Sequence, residues 1–583
     1  MKFQTIQRFR IFKFFIYASF LAIVAGLVFL QVVKFRYYQG LSLRNTIRII
    51  PIEAPRGSIY DRNRNLLAVD EISFDLAVIA QEVKDLDATL EALSKISDIP
   101  KKKLHYNYKR NYYVPFAPTK VASDLDKEKA FYIEEKLSSV PGAMIWPTPR
   151  RYYPNKEVGS HVIGYVGRIA RGEFVRLRDY GYKIQDLVGK SGIEKQYDAY
   201  LQGEDGGIQI EVDAASRQIR RRGFKEPKRG KDLVLTIDLG LQRFVDELLR
   251  EKKGACIVMD SRTGQVLALS SSPNFDPNAF TTGTDKERLA LLRSKGRPLI
   301  DRAISSSFPP GSTFKIVVAA AGIATGALDI NTTFTCNGSI SLGKWKFRCW
   351  KEAGHGPQNI VDALAHSCNV FFYSTGRVLG ADQIYRYASK FGLGSTTGID
   401  LPKETKGLVP NPIWKRLKKK EPWYKGDTFN YSIGQGFLLV TPIQMLRVVA
   451  IVANAGKSPT PYLLEKIEDR DVSHSKVFNT GLKKNTFKFI RKGLFDVVNS
   501  RTGTGQNARV RELGVAGKVA GKTGTAQPGT RGSTHAWFVG YLPSNAPMIS
   551  FVVFLEHGGQ GGRESARIAR LVGTYLDENG FLE

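Results

Sequence analysis

The stretch FPPGSTFKIVVAAAGIATG, residues 308–326, carries the reading of the fold. A Pro-Pro-Gly turn precedes Ser312, and from Phe314 to Ala324 the only charged side chain is Lys315. A run that is apolar on every side reads as a helix buried in a core. Lysine is almost never fully buried unless something nearby holds it. Ser312 and Lys315 are three residues apart, a spacing that puts two side chains on one helix face. A serine hydroxyl is a poor nucleophile until a base removes its proton. A lysine whose pKa is lowered by desolvation or a neighbouring cation can be that base. A helix-capping serine beside a solvated lysine would give the same spacing, but the apolar context of Lys315 weighs against it.

Two short motifs lie further along. Ser367-Cys368-Asn369 sits within HSCNV (366–370), and Lys522-Thr523-Gly524 within GKTGTAQ (521–527). Lys522 offers positive charge to a carboxylate, Thr523 a hydrogen bond, and Gly524 close approach to backbone. Each motif is weak alone. Together they follow one order, 55 residues from Ser312 to Ser367 and 155 from Ser367 to Lys522.

The flanking sequence reads as an α/β domain entered near residue 236 and continuing to the end. LVLTID (233–238) has the pattern of a strand and LGLQRFVDELLREK (239–252) that of an amphipathic helix. ACIVMDSRTGQVLALSS (255–271) reads as two strands joined at Thr263-Gly264. Residues from about 70 to 150 alternate short apolar runs with Lys-rich helical stretches such as KDLDATLEALSKIS (84–97). They suggest a separate head region in a mixed α+β module over 34–235.

At the N-terminus, Phe14 to Val33 carries no charge over a length that crosses a bilayer as one helix. The apolar run continues past Ala22 and Ala25, which favours an uncleaved anchor over a signal peptide. Residues 1–13 then form a short cytoplasmic tail, and the bulk of the chain lies outside the inner membrane. The net charge of +31 calls for anionic partners or a solvated basic surface. The basic runs RQIRRRGFKEPKRGK (217–231) and KRLKKKEPWYK (415–425) lie apart, without a recognised nucleic-acid-binding motif, so no nucleic acid is expected. Anionic membrane lipid or an acidic polymer suits the charge.

Ser-x-x-Lys, Ser-x-Asn and Lys-Thr-Gly in this order resemble the motif set of penicillin-binding proteins and serine β-lactamases. RGSIYDRNRNLLA (56–68), HVIGYVG (161–167) and GKSGIEKQYDAYLQG (189–203) resemble the N-terminal module of class B penicillin-binding proteins. DTFNYSIGQGFLLVTPIQM (427–445) and HAWFVGYLP (535–543) resemble their transpeptidase domain. The resemblance covers nearly the whole chain and is strongest to elongation-type members. It implies a single transmembrane helix (14–33), an elongated non-catalytic pedestal (34–235), and a transpeptidase domain (236–583). That last domain would be an antiparallel sheet flanked by helices, as in serine β-lactamases.

The resemblance also implies a peptidoglycan D,D-transpeptidase working in cell elongation and sensitive to β-lactams. In the family's terms Ser312 attacks a stem peptide ending in D-Ala-D-Ala and Lys315 is the general base. Ser367 relays a proton with Lys522 nearby, and Asn369 binds the peptide backbone. Lys522 and Thr523 hold the donor carboxylate beside Gly524, and the backbone amides of Ser312 and Thr525 form the oxyanion hole. Expected partners are a membrane glycosyltransferase of the shape, elongation, division and sporulation family and other elongation-complex proteins. A hydrolytic carboxypeptidase or β-lactamase, and a non-enzymatic β-lactam sensor or wall scaffold, are the alternatives. The motifs reveal no efficiently activated deacylating water, and the sequence shows no signalling region.

Of the four cysteines, Cys256 lies in the apolar strand ACIVM and reads as an inert buried thiol. Cys336, Cys349, His355 and Cys368 follow at spacings of 13, 6 and 13, with His355 between Gly354 and Gly356. Three thiols and one imidazole suit tetrahedral structural zinc. Spacing alone leaves open a Cys336–Cys349 disulfide or unrelated buried thiols. The resemblance favours the metal, because some elongation-type members look to carry a site beside the middle motif. No organic cofactor is expected.

Overall fold

The computed structural model describes residues 2–39, 47–112, 114–180, 182, 186–213, 218–510, 518–528 and 532–583. Met1 of the expected tail and residues 40–46 after the apolar span lie outside them. A helix over Lys2–Val28 runs into a π-turn at Phe29–Val33. Its segment Phe9–Val33 is long and apolar enough to cross a membrane. It begins ahead of Phe14 because Phe9, Ile11 and Phe12 interleave with Arg10 and Lys13.

The chain forms two compact units. The first comprises Met1–Pro55, Glu71–Arg150 and Gly203–Gly230. In its head, the helix Leu86–Ser97 starts where the Asp85 carboxylate accepts from the backbone N–H groups of Asp87 and Ala88. Leu90 and Leu93 of this helix, Leu104 of the next, and Leu76, Val78 and Val121 from strands close one small core. A second element of this unit is a three-stranded antiparallel sheet of Ile47–Ile52, Gly206–Val212 and Gln218–Lys225.

The second unit comprises Arg56–Asp70, Arg151–Gln202 and Lys231–Glu583. Its centre is an antiparallel sheet of β1 (Gly254–Asp260), β2 (Val266–Ser272), β3 (Ala520–Ala526), β4 (His535–Leu542) and β5 (Ile549–Leu555), in the order β2-β1-β5-β4-β3. The β1–β2 turn passes through Gly264 at φ +89°, where a Cβ would lie 2.5 Å from the Thr460 carbonyl oxygen.

Side chains alternate across the sheet and both faces are covered. Ile257, Met259, Trp537, Val552 and Phe554 join one core with α2 (Lys315–Ala324), α3 (Asn369–Lys390) and α4 (Pro442–Ala453). Cys256, Val258, Phe538, Phe551 and Val553 join the other with α1 (Leu239–Leu249) and α5 (Glu564–Glu578). Burial pushes the Cys256 thiol well up, as expected of an inert core cysteine. The helix expected at 314–324 is as enclosed as its composition requires: every residue from Lys315 to Gly322 is buried.

This unit also takes in residues 56–70 and 151–202, which sequence reading groups with the pedestal. Leu233–Leu235 pairs in parallel with Ile59–Tyr60, a contact too short and too distant in sequence to leave a pattern. A buried ion network closes the same region. Arg56 Nη2 donates to Glu194 at 2.9 Å and to Asp198 at 2.8 Å. Arg151 donates through Nε to Glu194 at 2.5 Å, and through Nη1 to Asp70 at 3.1 Å and to the Gly57 carbonyl at 2.8 Å. Burial alone would raise the Glu194 pKa, but Arg151 and Arg56 outweigh it and hold the carboxyl below its ordinary value. Replacing Glu194 by Ala removes the carboxylate shared by two buried guanidinium groups, leaving Arg56 with Asp198 and Arg151 with Asp70 and the Gly57 carbonyl. It is expected to cost about 3–5 kcal/mol of stability. Denaturant unfolding followed by tryptophan fluorescence measures this, and an unchanged midpoint would show that the network contributes nothing.

Candidate active site

Ser312 stands on a 3₁₀ turn, Gly311–Phe314, that feeds directly into α2. The turn is clamped on two sides. Gly311, at φ +55°, donates its N–H to the Gly434 carbonyl at 2.9 Å, and a Cβ on it would lie 2.5 Å from the Thr525 carbonyl oxygen. From the facing strand, a Cβ on Gly524 would lie 2.8 Å from the Thr313 side chain and 2.9 Å from the Pro310 carbonyl oxygen. Trp537 Nε1 donates to the Pro309 carbonyl at 3.0 Å. Only glycine lets the turn and β3 come this close. Ser312 itself remains half-buried, with access to the cleft.

Lys315 is fully buried one turn further on. Its Nζ donates to the Ser367 carbonyl at 2.9 Å, to Ser367 Oγ at 3.3 Å and to Asn369 Oδ1 at 2.7 Å. The Phe372 ring centroid lies 5.4 Å from the same nitrogen. Burial pushes the Lys315 pKa down to about 8, against the opposing influence of Cys368 and Cys349. Ser367 takes a left-handed backbone conformation, φ +52°, that few non-glycine residues adopt. Asn369 opens α3, and its Nδ2 donates to the Arg348 carbonyl at 3.3 Å. The first two motifs thus meet through side-chain hydrogen bonds.

The third motif lies on β3, an edge strand of the sheet. Lys522 is fully buried and donates to the Thr523 carbonyl at 3.1 Å. Burial, and then the neighbouring Lys315, push its pKa well below the ordinary lysine range. Thr523 is buried, Gly524 packs on the Ser312 turn, and Thr525 faces solvent. Thr525 Oγ1 accepts from the Gly561 N–H at 3.2 Å.

Several contributors are missed by sequence reading. Thr504 Oγ1 and Thr523 Oγ1 are 3.0 Å apart, and the Thr504 N–H donates to the Ala365 carbonyl at 3.3 Å. His366 Nε2 lies 2.9 Å from Thr502 Oγ1 and its Nδ1 2.8 Å from Gln358 Oε1. The segment RTGTGQ (501–506) therefore ties the middle motif to the third. Its repeated Thr-Gly pairs were the available signal.

Cys336, Cys349, His355 and Cys368 converge as the spacing allows. Their ligand atoms all lie within 4.8 Å of one another. The strand Phe334–Cys336 pairs with Gly356–Gln358, placing Cys336 opposite Gly356. The His355 N–H donates to the Cys336 carbonyl at 3.0 Å. Gly354 and Gly356 flank His355 at φ +79° and +72°, the bends its position suggests. His355 Nδ1 lies 3.6 Å from Cys336 Sγ and 3.5 Å from Cys349 Sγ. All four cysteines of the chain are free thiols, so Cys336 and Cys349 share no disulfide. Burial lowers the His355 pKa and favours the neutral ring. A hydrogen bond from Cys368 pulls the Cys349 thiol down toward thiolate. The set offers soft, deprotonated or neutral donors around one point.

The family model described as "Penicillin binding protein transpeptidase domain" matches residues 254–572, and that described as "Penicillin-binding Protein dimerisation domain" matches 51–235. The chain belongs to the penicillin-binding protein transpeptidases. It is 35% identical over 581 residues to the peptidoglycan D,D-transpeptidase MrdA of Acinetobacter baumannii, covering 95% of this chain and 85% of that protein. Among solved structures, it resembles penicillin-binding protein 2 in its complex with MreC from Helicobacter pylori. The TM-score is 0.83 at 30% identity, covering 92% of this chain and all of that one. A chain of the structure described as "Structural coordination of polymerization and crosslinking by a peptidoglycan synthase complex" aligns with TM-score 0.72 at 31% identity, over 97% of both chains. The Ser-x-x-Lys, Ser-x-Asn and Lys-Thr-Gly segments lie against one another within the second unit.

Proposed function

We propose that this chain is a serine-type peptidoglycan D,D-transpeptidase that cross-links stem peptides during cell elongation and is a target of β-lactams. The observation that carries it is the buried Lys315 amine, hydrogen-bonded to Ser367 and Asn369 one turn from Ser312. Lys315 removes the hydroxyl proton as Ser312 Oγ bonds to the carbonyl carbon of the penultimate D-Ala. The N–H groups of Ser312 and Thr525 receive the oxyanion. The C–N bond to the terminal D-Ala then breaks, and the leaving amine takes its proton through Ser367, with Lys522 supporting the transfer. Asn369 orients the donor peptide, and Lys522 and Thr523 hold its carboxylate beside Gly524. An amine of a second stem peptide attacks the ester, its proton passes to the base, and the Ser312 hydroxyl is restored.

Residues 14–33 anchor the chain in the cytoplasmic membrane, 34–235 form the non-catalytic pedestal, and 236–583 work on the outer face. The pedestal binds a membrane glycosyltransferase of the shape, elongation, division and sporulation family, together with other elongation-complex proteins. The likeness to a synthase-complex chain and to a chain complexed with MreC supports this.

The Cys₃His cluster holds a structural zinc. Zinc bonds of about 2.3 Å to sulfur and 2.0–2.1 Å to nitrogen at tetrahedral angles separate donors by roughly 3.5–3.8 Å. The two sulfur–nitrogen distances, 3.6 and 3.5 Å, fit that range. Bound there, the metal supplies a fold restraint and leaves the chemistry to the serine and lysines. Cys336, Cys349, His355 and Cys368 hold it, and Cys368 lies between Ser367 and Asn369.

Penicillin treatment is expected to leave one adduct by intact mass, absent in Ser312→Ala; an undiminished adduct there would exclude Ser312 as nucleophile. Because burial lowers Lys315, the neutral amine gains as pH rises through about 8. The acylation rate should climb through that pH and level off above it, and a flat profile argues against Lys315 as base. Elemental analysis of protein purified without chelator should find one zinc, with Cys368→Ser lowering metal content, melting temperature and acylation together. Metal-free protein with unaltered properties would remove the zinc. With a lipid-linked glycan polymer and the cross-linked glycosyltransferase partner, cross-linked peptides should accompany D-Ala release. D-Ala release alone would make the chain a carboxypeptidase, and failure to capture the glycosyltransferase would remove the partnership.

A further inference from the structure

Beside the middle motif stands a small hairpin, Ser339–Leu342 paired with Trp345–Arg348 around the turn Gly343-Lys344. One end is fixed. Phe347 packs against Phe429 and Tyr373 with ring centroids 4.9 and 5.7 Å away, and the Arg348 carbonyl accepts from Asn369. The other end is open. Trp345 is 67% exposed, an unusual state for one of only six tryptophans in the chain. Trp350 is also exposed, but its Nε1 donates to the His366 carbonyl at 3.0 Å and its ring meets His355 edge-on at 5.2 Å. Packing over the Cys/His cluster accounts for Trp350. Nothing comparable accounts for Trp345.

The charges around Trp345 are of one sign. Lys344, Lys346 and Arg348 are all exposed, and none is in an ion pair among the described residues. Lys344 Nζ lies 5.9 Å from the Trp345 ring centroid. The hairpin is tied to the first two motifs at Arg348. Asn369 links the Arg348 carbonyl to Lys315 Nζ through bonds of 3.3 and 2.7 Å. Trp345 lies three residues further along the strand, about 10 Å away.

We propose that this hairpin is a docking strip for the substrate's glycan strand. The indole face of Trp345 would stack on a sugar ring beside Lys344 at the turn, while Lys346 and Arg348, which alternate onto the other face of the two-stranded hairpin, meet carboxylates of stem peptides that project from the strand. This rests on the transpeptidase reading and names how the polymer, as distinct from the reacting peptide bond, is held. A single exposed ring among basic side chains suits an anionic carbohydrate. It is far smaller than the roughly 1,200 Å² that a stable protein interface buries. Its place at the rim, one hydrogen bond from Asn369, matches a strand whose peptide must reach Ser312.

The test uses full-length protein in detergent and compares wild type with Trp345→Ala, Trp345→Phe and Lys346→Glu. Binding of soluble, uncross-linked glycan chains is read by titration. Turnover on lipid-linked polymer is split into kcat and KM, and penicillin acylation reports the catalytic residues. Trp345→Ala and Lys346→Glu should weaken glycan binding and raise KM by about tenfold each, the scale of one lost anchor. Acylation rate, kcat and melting temperature should be unchanged. Trp345→Phe should recover most of the binding, which a merely structural role would not explain. Unchanged glycan affinity in folded Trp345→Ala and Lys346→Glu overturns the proposal. So does loss of binding to anionic lipid vesicles with glycan binding intact, which would assign the strip to the membrane. Wild-type protein that binds glycan through Trp345 yet forms no cross-links would sink the transpeptidase reading and leave the strip standing.

Discussion

A lysine side chain with no exposed surface must find oxygen partners or lose its charge, and the catalytic unit is organised around supplying them to Lys315. Three oxygens do so, all from the segment 367–369. For both the carbonyl and the hydroxyl of Ser367 to face one nitrogen, its backbone turns left-handed, at a cost on the order of 1–3 kcal/mol. The surroundings over-determine that turn. The Ser367 N–H donates to the Leu364 carbonyl at 3.2 Å, the Cys368 N–H to the Ala363 carbonyl at 3.0 Å, and α3 begins at the next residue. Strain at this point places one amine among several acceptors at a pKa near 8, poised between charged and neutral near physiological pH.

The second requirement is that the Ser312 turn and the edge strand β3 meet without crushing one another. Here the sheet and the glycines act together. Both sheet faces are occupied by helices, so the working residues collect at the rim beside β3. Gly311 faces the Thr525 backbone and Gly524 the Pro310 carbonyl, and a Cβ on Gly561 would lie 2.1 Å from the Gly524 carbonyl oxygen. The rim is therefore a stack of backbone surfaces with Thr525 open to solvent. An edge strand also carries unpaired backbone groups, which suit an extended peptide.

Much of this was legible in the sequence, for identifiable reasons. An apolar run with one lysine announces an enclosed amine, and the turn at Thr263-Gly264 announces the β1–β2 hairpin. Cysteine and histidine spacings announce a cluster once glycines bracket the imidazole. Thr504 and His366 were not legible, because threonine and histidine are common and their roles depend on contacts 19 and 136 residues away. The attachment of residues 56–70 and 151–202 to the catalytic unit was hidden for the same reason. It depends on one short parallel pairing and on buried charges whose partners are distant in sequence.

The thiol between Ser367 and Asn369 follows from this geometry. Consecutive residues where a turn enters a helix project in different directions. The side chains of Ser367 and Asn369 reach Lys315, and Cys368 Sγ turns to the cluster with Cys336, Cys349 and His355. A small apolar residue at 368 would fill the core equally well, since the site is fully buried. It would leave the middle motif without its side-chain contact to the Cys336, Cys349 and His355 group. The thiol instead lies beside Cys336 at the end of a strand, Cys349 just after another, and the glycine-bracketed His355. The hairpin carrying Arg348 ends at the residue before Cys349, so the carbonyl that receives Asn369 is next in the chain to the cluster.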